Sequence, residues 1–263
     1  MPEVILQPTP AVLKASEVLE EAVGRVLEAY GTVGPVGKYE ADYEAKTLLW
    51  LIVRNVEGVY ELARKDLVLL PPAMSAARSA FEIAIRALWL LAPSDPFQRE
   101  VRWLAHLQTE ENYLDRVANR LQLMGIPSTE CANQAAVARK FRLDVTQLLP
   151  RGYSPLKKIP NLEEMLASLG LKDRYLNYIE FSQFAHGTHV AGGLYRKNLG
   201  CEKRSGEFIC TADWYQPLGA CAFALTNVGN RVVETFGGSS EPYLTESFLH
   251  ELHVALDSVK KTK

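Results

Sequence analysis

The sequence predicts an all-α fold, a single helical domain of seven to nine helices over residues 1–263. Three observations lead to this prediction. Apolar residues recur at helical spacing along most of the chain, as at Val12, Leu19 and Val23. Glycine, proline and capping residues separate these segments. One run, Ala73–Ala92, is so uniformly apolar that it is typical of the helix at the centre of a bundle.

The central run also carries polar residues. In a helix, Arg78, Glu82 and Arg86 fall in one narrow stripe with Ser75 and Ser79. Such a stripe must face either a strip of water or polar partners inside the protein, because a buried charge without a partner is costly. The sequence therefore indicates a polar cluster next to the central helix.

The first half of the chain contains five predicted helices, at 10–30, about 39–67, 73–92, 96–124 and 129–143. Pro71 and Pro72 open the third, since proline suits a first turn. The sequence Ser94-Asp95-Pro96 starts the fourth, with a capping side chain and a proline just inside. The stretch 148–160 is broken by prolines and is the one candidate for an internal boundary.

The second half contains four more predicted helices, at 161–170, 172–191, 214–236 and 241–259. Asn161 and Glu164 resemble a capping box at the start of the first of them. The polar, glycine-containing stretch 199–212 fits either a surface loop or one small β-hairpin.

Composition limits the function classes. A chain of 263 residues with 48% hydrophobic content can bury a large core. Its net charge of -2 excludes a global basic excess for nucleic-acid binding. The charges in the central run exclude a membrane span. The first residues lack a basic segment followed by an apolar core, so we expect a cytoplasmic protein. No cofactor is expected.

The four cysteines, Cys131, Cys201, Cys210 and Cys221, contain no C-x-x-C pair. In a reducing compartment they are expected to be free thiols. A Cys201–Cys210 bridge across the intervening segment is the alternative.

The sequence HGTHVAG at 186–192 resembles the histidine motif of subtilisin-like serine proteases. The resemblance ends there, since Tyr195 and Arg196 follow where that family has small residues. The chain also lacks the family's aspartate and serine segments, and its helical pattern does not fit a parallel α/β fold. We interpret the likeness as coincidental.

Two H-x-x-H pairs could each hold a metal on a helix face: His186 with His189, and His250 with His253. The second pair lies opposite an apolar face and is most simply a solvated surface. The prediction is therefore no metal site, with His186 and His189 as the alternative.

Arg99 and His106 resemble the spaced arginine and histidine of helical HEPN ribonucleases, which cleave RNA without metal. Glu100 departs from that pattern and would repel a phosphate. The simpler interpretation makes Arg99, Glu100 and Arg102 ordinary surface charges. A local basic cluster supports the cleavage hypothesis, because phosphate contacts dominate affinity for nucleic acid. It consists of Arg139, Lys140, Arg142, Arg151, Lys157 and Lys158.

Arg78-x3-Glu82, Arg102-Trp103 and Tyr178-x3-Ser182-x3-His186-Gly187 together resemble a group of bacterial helical proteins described as a domain of unknown function. The resemblance spans about 73–187. It implies an all-helical fold without an assigned activity, some relatives of which look like phage-defence or toxin components.

The candidate ligand site joins the two striped helices. It consists of Arg78, Glu82, Arg86, Tyr178, Ser182 and His186. Two arginines against one glutamate leave a positive surplus that suits a carboxylate or phosphate. The alternative is a structural ion-pair network that sets the register of the helices. We expect these six residues to form a buried polar cluster in a binding or interaction module, with a small anionic ligand or a protein partner. We also expect self-association into a homo-oligomer. Nucleic acid is a partner only under the ribonuclease alternative.

Overall fold

The computed structural model describes residues 6–34, 39–197 and 204–262. Within these ranges the chain forms ten α-helices and one pair of two-residue strands, so the all-α prediction is confirmed. The helices are α1 (Pro10–Gly31), α2 (Glu40–Lys65), α3 (Leu70–Leu91), α4 (Pro96–Leu123), α5 (Thr129–Leu148), α6 (Leu162–Ser168), α7 (Tyr175–Ala185), α8 (His189–Gly192), α9 (Tyr215–Thr235) and α10 (Glu246–Lys261).

The Cα positions divide the chain into two compact units. The larger unit contains Met1–Pro35, Lys46–Trp89 and Leu162–Lys263, and the smaller unit contains Val36–Ala45 and Leu90–Asn161. One boundary between them follows directly after the proline-broken connection at 148–160. The single domain over 1–263 stays a prediction.

Helix α9 lies at the centre of the larger unit, where it packs against α1 and α10. A Cβ built on Gly229 would lie 2.8 Å from Cγ1 of Val26, so only glycine allows α9 to approach α1 this closely. Just before α9, the fully buried indole of Trp214 donates from Nε1 to the carbonyl oxygen of Leu67 at 3.1 Å. This contact ties α9 to the segment that leads into α3.

Helix α3 is a core helix, as its composition predicts. Ala77, Phe81 and Ile85 are fully buried on it. Within the described residues, Leu67–Leu91 is the single helical stretch long and apolar enough to cross a membrane by length and composition, and a buried core helix of a soluble protein passes the same test.

In the smaller unit, α4 and α5 form an antiparallel helical hairpin. Asp95 caps α4 as predicted, since its Oδ1 accepts a hydrogen bond from the backbone N–H of Phe97 at 3.0 Å. Helix α5 runs to Leu148, five residues beyond the predicted end. Within the described part of the chain, Ala135 is the one residue of α5 that is buried.

Three predictions for the second half are corrected. The helix predicted at 172–191 is divided into a 3-10 turn, α7 and α8, because Gly187 adopts a φ of 59° and turns the chain. The strand pair joins β1 (Arg196–Lys197) to β2 (Arg204–Ser205), so the hairpin begins before the predicted 199–212. The last helix begins at Glu246 rather than 241, where the Thr245 hydroxyl accepts from the N–H of Phe248.

Three cysteines are free, as predicted. Cys131 is half-buried, Cys210 is exposed, and Cys221 is buried on α9, where burial raises the pKa of its thiol. Cys201, the other member of the alternative bridge to Cys210, lies outside the described residues.

Candidate functional site

Arg78 and Glu82 form an ion pair one turn apart on α3. Nε of Arg78 donates to Oε1 of Glu82 at 2.6 Å, and the two side chains are only 18% and 25% exposed. The spacing of four residues sets this pairing, because such side chains are neighbours on a helix surface. The polar stripe of the central helix is therefore neutralised partly by its own members.

Tyr178 on α7 completes this pair from another helix. Nη2 of Arg78 donates to the Tyr178 hydroxyl at 3.4 Å, and the guanidinium carbon lies 5.2 Å from the centroid of the tyrosine ring. Burial acts to lower the pKa of Arg78, but the hydrogen bonds and charges of Glu82 and Tyr178 outweigh it, and the pKa is raised. The arginine is a fixed cation held against an aromatic ring. We call these three residues the Arg78 cluster.

The other three predicted ligand residues do not join the Arg78 cluster through any described contact. Arg86 and His186 are exposed, so their expected burial is wrong. Ser182 uses its hydroxyl within α7, donating to the carbonyl oxygen of Tyr178 at 2.7 Å. His186 is exposed for a local reason. Helix α7 ends at Ala185, so the imidazole of His186 lies just beyond the helix and not on its polar face.

An aromatic layer holds α7 in place beside this cluster. The ring of Phe81 on α3 lies 6.3 Å from that of Phe181 on α7 and 5.9 Å from that of Phe223 on α9. Phe181 is fully buried. Because this layer joins three helices, it fixes the position from which Tyr178 reaches Arg78.

A groove lies along α9 and was missed by the sequence analysis. Its volume is about 620 Å³, and its walls come from the start of α7 and from α10. Its polar lining consists of Arg174, Asn177, Gln216, Thr226, Asn227, Asn230 and His253. The available signal was a row of polar residues at helical spacing on one side of an otherwise apolar helix.

The alternative metal site at His186 and His189 lacks the shared helix face on which it was predicted. His186 lies after the end of α7 and His189 begins α8, so the pair does not share one helix face. Among the described residues, no group of three or more histidine, cysteine, aspartate or glutamate side chains could hold a metal ion. His250 and His253 are both exposed on α10, as the solvated-surface interpretation predicted.

The simpler interpretation of Arg99 and Glu100 as ordinary surface charges is wrong, because both residues are buried. Arg99 is only 11% exposed, and its guanidinium contacts Asp42 at 3.3 Å and the carbonyl oxygens of Pro93 and Ser94. Glu100 accepts from the N–H of Ala41 in the first turn of α2, and burial raises its pKa. Both side chains thus hold together the smaller unit.

His106 is half-buried on α4, two turns from Arg99. The smaller unit also contains a cleft of about 590 Å³ lined by Arg102, Tyr153 and neighbouring residues, but neither Arg99 nor His106 lines it. Burial lowers the pKa of Arg102, so this arginine is not an ordinary surface charge either. The two residues of the ribonuclease hypothesis are present, but the described arrangement does not place them at a cleft.

Two of the six residues of the predicted basic cluster are paired with acids. Arg142 contacts both carboxylate oxygens of Glu111, which is itself buried, and Arg139 pairs with Asp115. These bonds join α5 to α4. The other four residues, Lys140, Arg151, Lys157 and Lys158, are exposed.

Comparison of the chain with protein-family models, with curated proteins and with solved structures finds no match.

Proposed function

We propose that this protein is a non-catalytic binding module of the cytoplasm, whose α3 and α7 surface binds an anionic group. One observation carries the proposal: the stripe on α3 has two guanidinium groups for one carboxylate. Glu82 pairs with Arg78 and with no other cation among the described residues. Arg86 lies one turn further along α3, is exposed and has no ion pair among the described residues.

The chemistry of arginine favours this ligand class. A guanidinium presents several donors in a planar fork that matches carboxylate and phosphate oxygens. Arg78 is already held by Glu82 and Tyr178, so little conformational freedom is lost when it binds. Glu82 neutralises one positive charge of the stripe, and exposed Arg86 supplies the positive charge that remains.

Inorganic phosphate is the probe for this site. We expect saturable shifts of the Nε–H signals of Arg78 and Arg86 in nuclear magnetic resonance spectra. Arg86→Gln should weaken binding about tenfold, the effect of ~1.4 kcal/mol. Arg54→Gln is the matched control, because Arg54 is an exposed arginine of the larger unit paired with Glu57. Equal weakening by both substitutions, or shifts that do not saturate, would contradict the proposal.

The same module is proposed to self-associate through α5. Val137 and Leu148 on this helix are 70% and 80% exposed. Lys140 and Asp144 lie between them, one turn apart. In a two-fold contact between antiparallel copies of α5, each lysine would face the aspartate of the other copy, which makes this surface complementary to itself. Such a contact would also cover Val137 and Leu148, which are exposed in the single chain.

Light scattering after size-exclusion chromatography tests self-association. The unchanged protein is expected to elute as an oligomer, and Val137→Glu with Leu148→Glu as a monomer. Val254→Glu, at an exposed apolar residue of α10, is the control and should leave the mass unchanged. If the unchanged protein elutes as a monomer, the proposal of self-association through α5 is wrong.

RNA cleavage by Arg99 and His106 stays the competing hypothesis. The observation in its favour is the exposure of Arg151, Lys157 and Lys158 in the smaller unit. Incubation of purified protein with total RNA, beside a His106→Ala variant, decides between the two functions. Cleavage that depends on His106 would establish the ribonuclease and displace the binding module.

A further inference from the structure

The groove along α9 shares no residue with the Arg78 cluster, so it is a separate candidate site on the larger unit. Its floor runs from Gln216 to Asn230 on α9, which is roughly 21 Å at 1.5 Å per residue. One wall contains Leu171, Arg174 and Asn177, and the other contains Leu249, Leu252, His253 and Leu256 from α10. The groove is therefore long and mixed in polarity.

Four side-chain amides line the groove, and their bonding is incomplete. The side chains of Asn177 and Asn230 make no hydrogen bond among the described residues, and Oδ1 of Asn230 is buried. Gln216 donates from Nε2 to Glu180 at 2.7 Å, and Asn227 donates from Nδ2 to the carbonyl oxygen of Phe223 at 2.8 Å. The oxygens of these last two amides remain as acceptors. A buried polar atom without a partner is costly, and the other three amides of the groove keep polar groups free to bond with a ligand.

The charge of the groove is positive. Arg174 is exposed, stacks over the ring of Phe223 at 5.1 Å and has no ion pair among the described residues. No aspartate or glutamate among the described residues lines the groove. Glu180 accepts the amide hydrogen bond of Gln216 and is not among the residues that line the groove.

We propose that this groove binds an extended acidic peptide segment of a partner protein. A side-chain amide has the same donor and acceptor as a peptide unit, so the four amides can bond to the main chain of any sequence. A length of roughly 21 Å accommodates about six extended residues. Arg174 then selects an aspartate or glutamate side chain, while the leucines of the α10 wall cover the apolar part of the peptide.

Selection from a phage-displayed library of randomised octapeptides tests the proposal on the full chain. We expect enrichment of sequences that contain aspartate or glutamate, without a fixed apolar motif. For one synthetic enriched peptide, Arg174→Gln should weaken binding about tenfold, because a charge-assisted bond is lost. Arg174→Lys should retain part of the affinity. Asn230→Leu should also weaken binding.

Arg54→Gln is the matched control, since it removes the same charge from an exposed arginine of the larger unit that lines neither the groove nor the α3 stripe. It should leave peptide binding unchanged. The proposal is overturned if no acidic sequences are enriched, or if the peptide binds Arg174→Gln as tightly as the unchanged protein. It is also overturned if N-methylation of the central peptide bonds has no effect, because the groove would then recognise only the carboxylate.

Discussion

Helices α9 and α5 have nearly equal lengths, 21 and 20 residues, but opposite surroundings. One whole side of α9 is buried, including Leu218, Leu225 and Val232, whereas α5 buries Ala135 alone among its described residues. Both helices are rich in alanine and aliphatic residues. The difference shows that apolar content alone does not decide whether a helix belongs to the core. It also separates the two helices by surroundings: α9 packs inside the larger unit, and α5 exposes most of its surface.

The largest expected effect concerns the residue that anchors α9. Trp214→Ala removes a fully buried ring and its hydrogen bond to Leu67, and should lower the free energy of unfolding by about 3–5 kcal/mol. Phe141→Ala on α5 is the counterpart. It removes a ring that lies 6.0 Å from Trp103 but is 42% exposed, and should cost about 1 kcal/mol. Urea unfolding measures both, and equal losses would contradict the comparison.

The next effect concerns the close approach of α9 to α1. Gly229→Val places methyl groups against Val26, whose Cγ1 lies only 2.8 Å from the position that a Cβ at residue 229 would occupy. The overpacking should cost about 1–3 kcal/mol. The matched change on α5 is Ala136→Val, at an exposed position, with an expected effect within about 0.5 kcal/mol. Urea unfolding measures both variants. If Gly229→Val is as stable as Ala136→Val, the close contact between α9 and α1 is not important for stability.

A smaller effect concerns the buried charge at the start of α4 in the smaller unit. Burial raises the pKa of Glu100 despite its backbone hydrogen bonds, so the folded protein holds this proton more tightly than the unfolded chain. The contribution of Glu100 to stability is therefore greatest below its ordinary pKa. It is lost as the pH rises through the raised value.

Glu100→Gln should remove this part of the pH dependence. Relative to the unchanged protein, the variant should gain stability as the pH rises from about 4.5 towards neutrality. Glu130→Gln, at an exposed position of α5, should show no such trend. Urea unfolding at a series of pH values measures the difference, and parallel curves for all three proteins would refute the assignment.

The smallest effect on stability is expected on the outer face of α5. Val137→Ala with Leu148→Ala should change the free energy of unfolding of the monomer by less than about 0.5 kcal/mol per site, because both side chains are mostly exposed. The same pair should reduce self-association, measured by sedimentation. A large loss of monomer stability would show that α5 belongs to the core after all.

Local chemistry determined much of this protein from the sequence alone. The start of α4 at its Asp95 cap, the proline-opened α3 and the pairing of Arg78 with Glu82 all depend on residues at most four positions apart. Helix geometry alone brings such residues together, so the sequence predicts them. The exposed histidines of α10 follow from the same periodicity.

Only the tertiary structure decided which polar residues are buried and what they contact. Asp42 and Ala41 meet Arg99 and Glu100 across more than fifty positions of the chain, so no local pattern distinguishes those side chains from surface charges. The same holds for the amide-lined groove along α9. Burial depends on which elements pack together, and a change of neighbouring elements alters the surroundings of a residue without changing its helix.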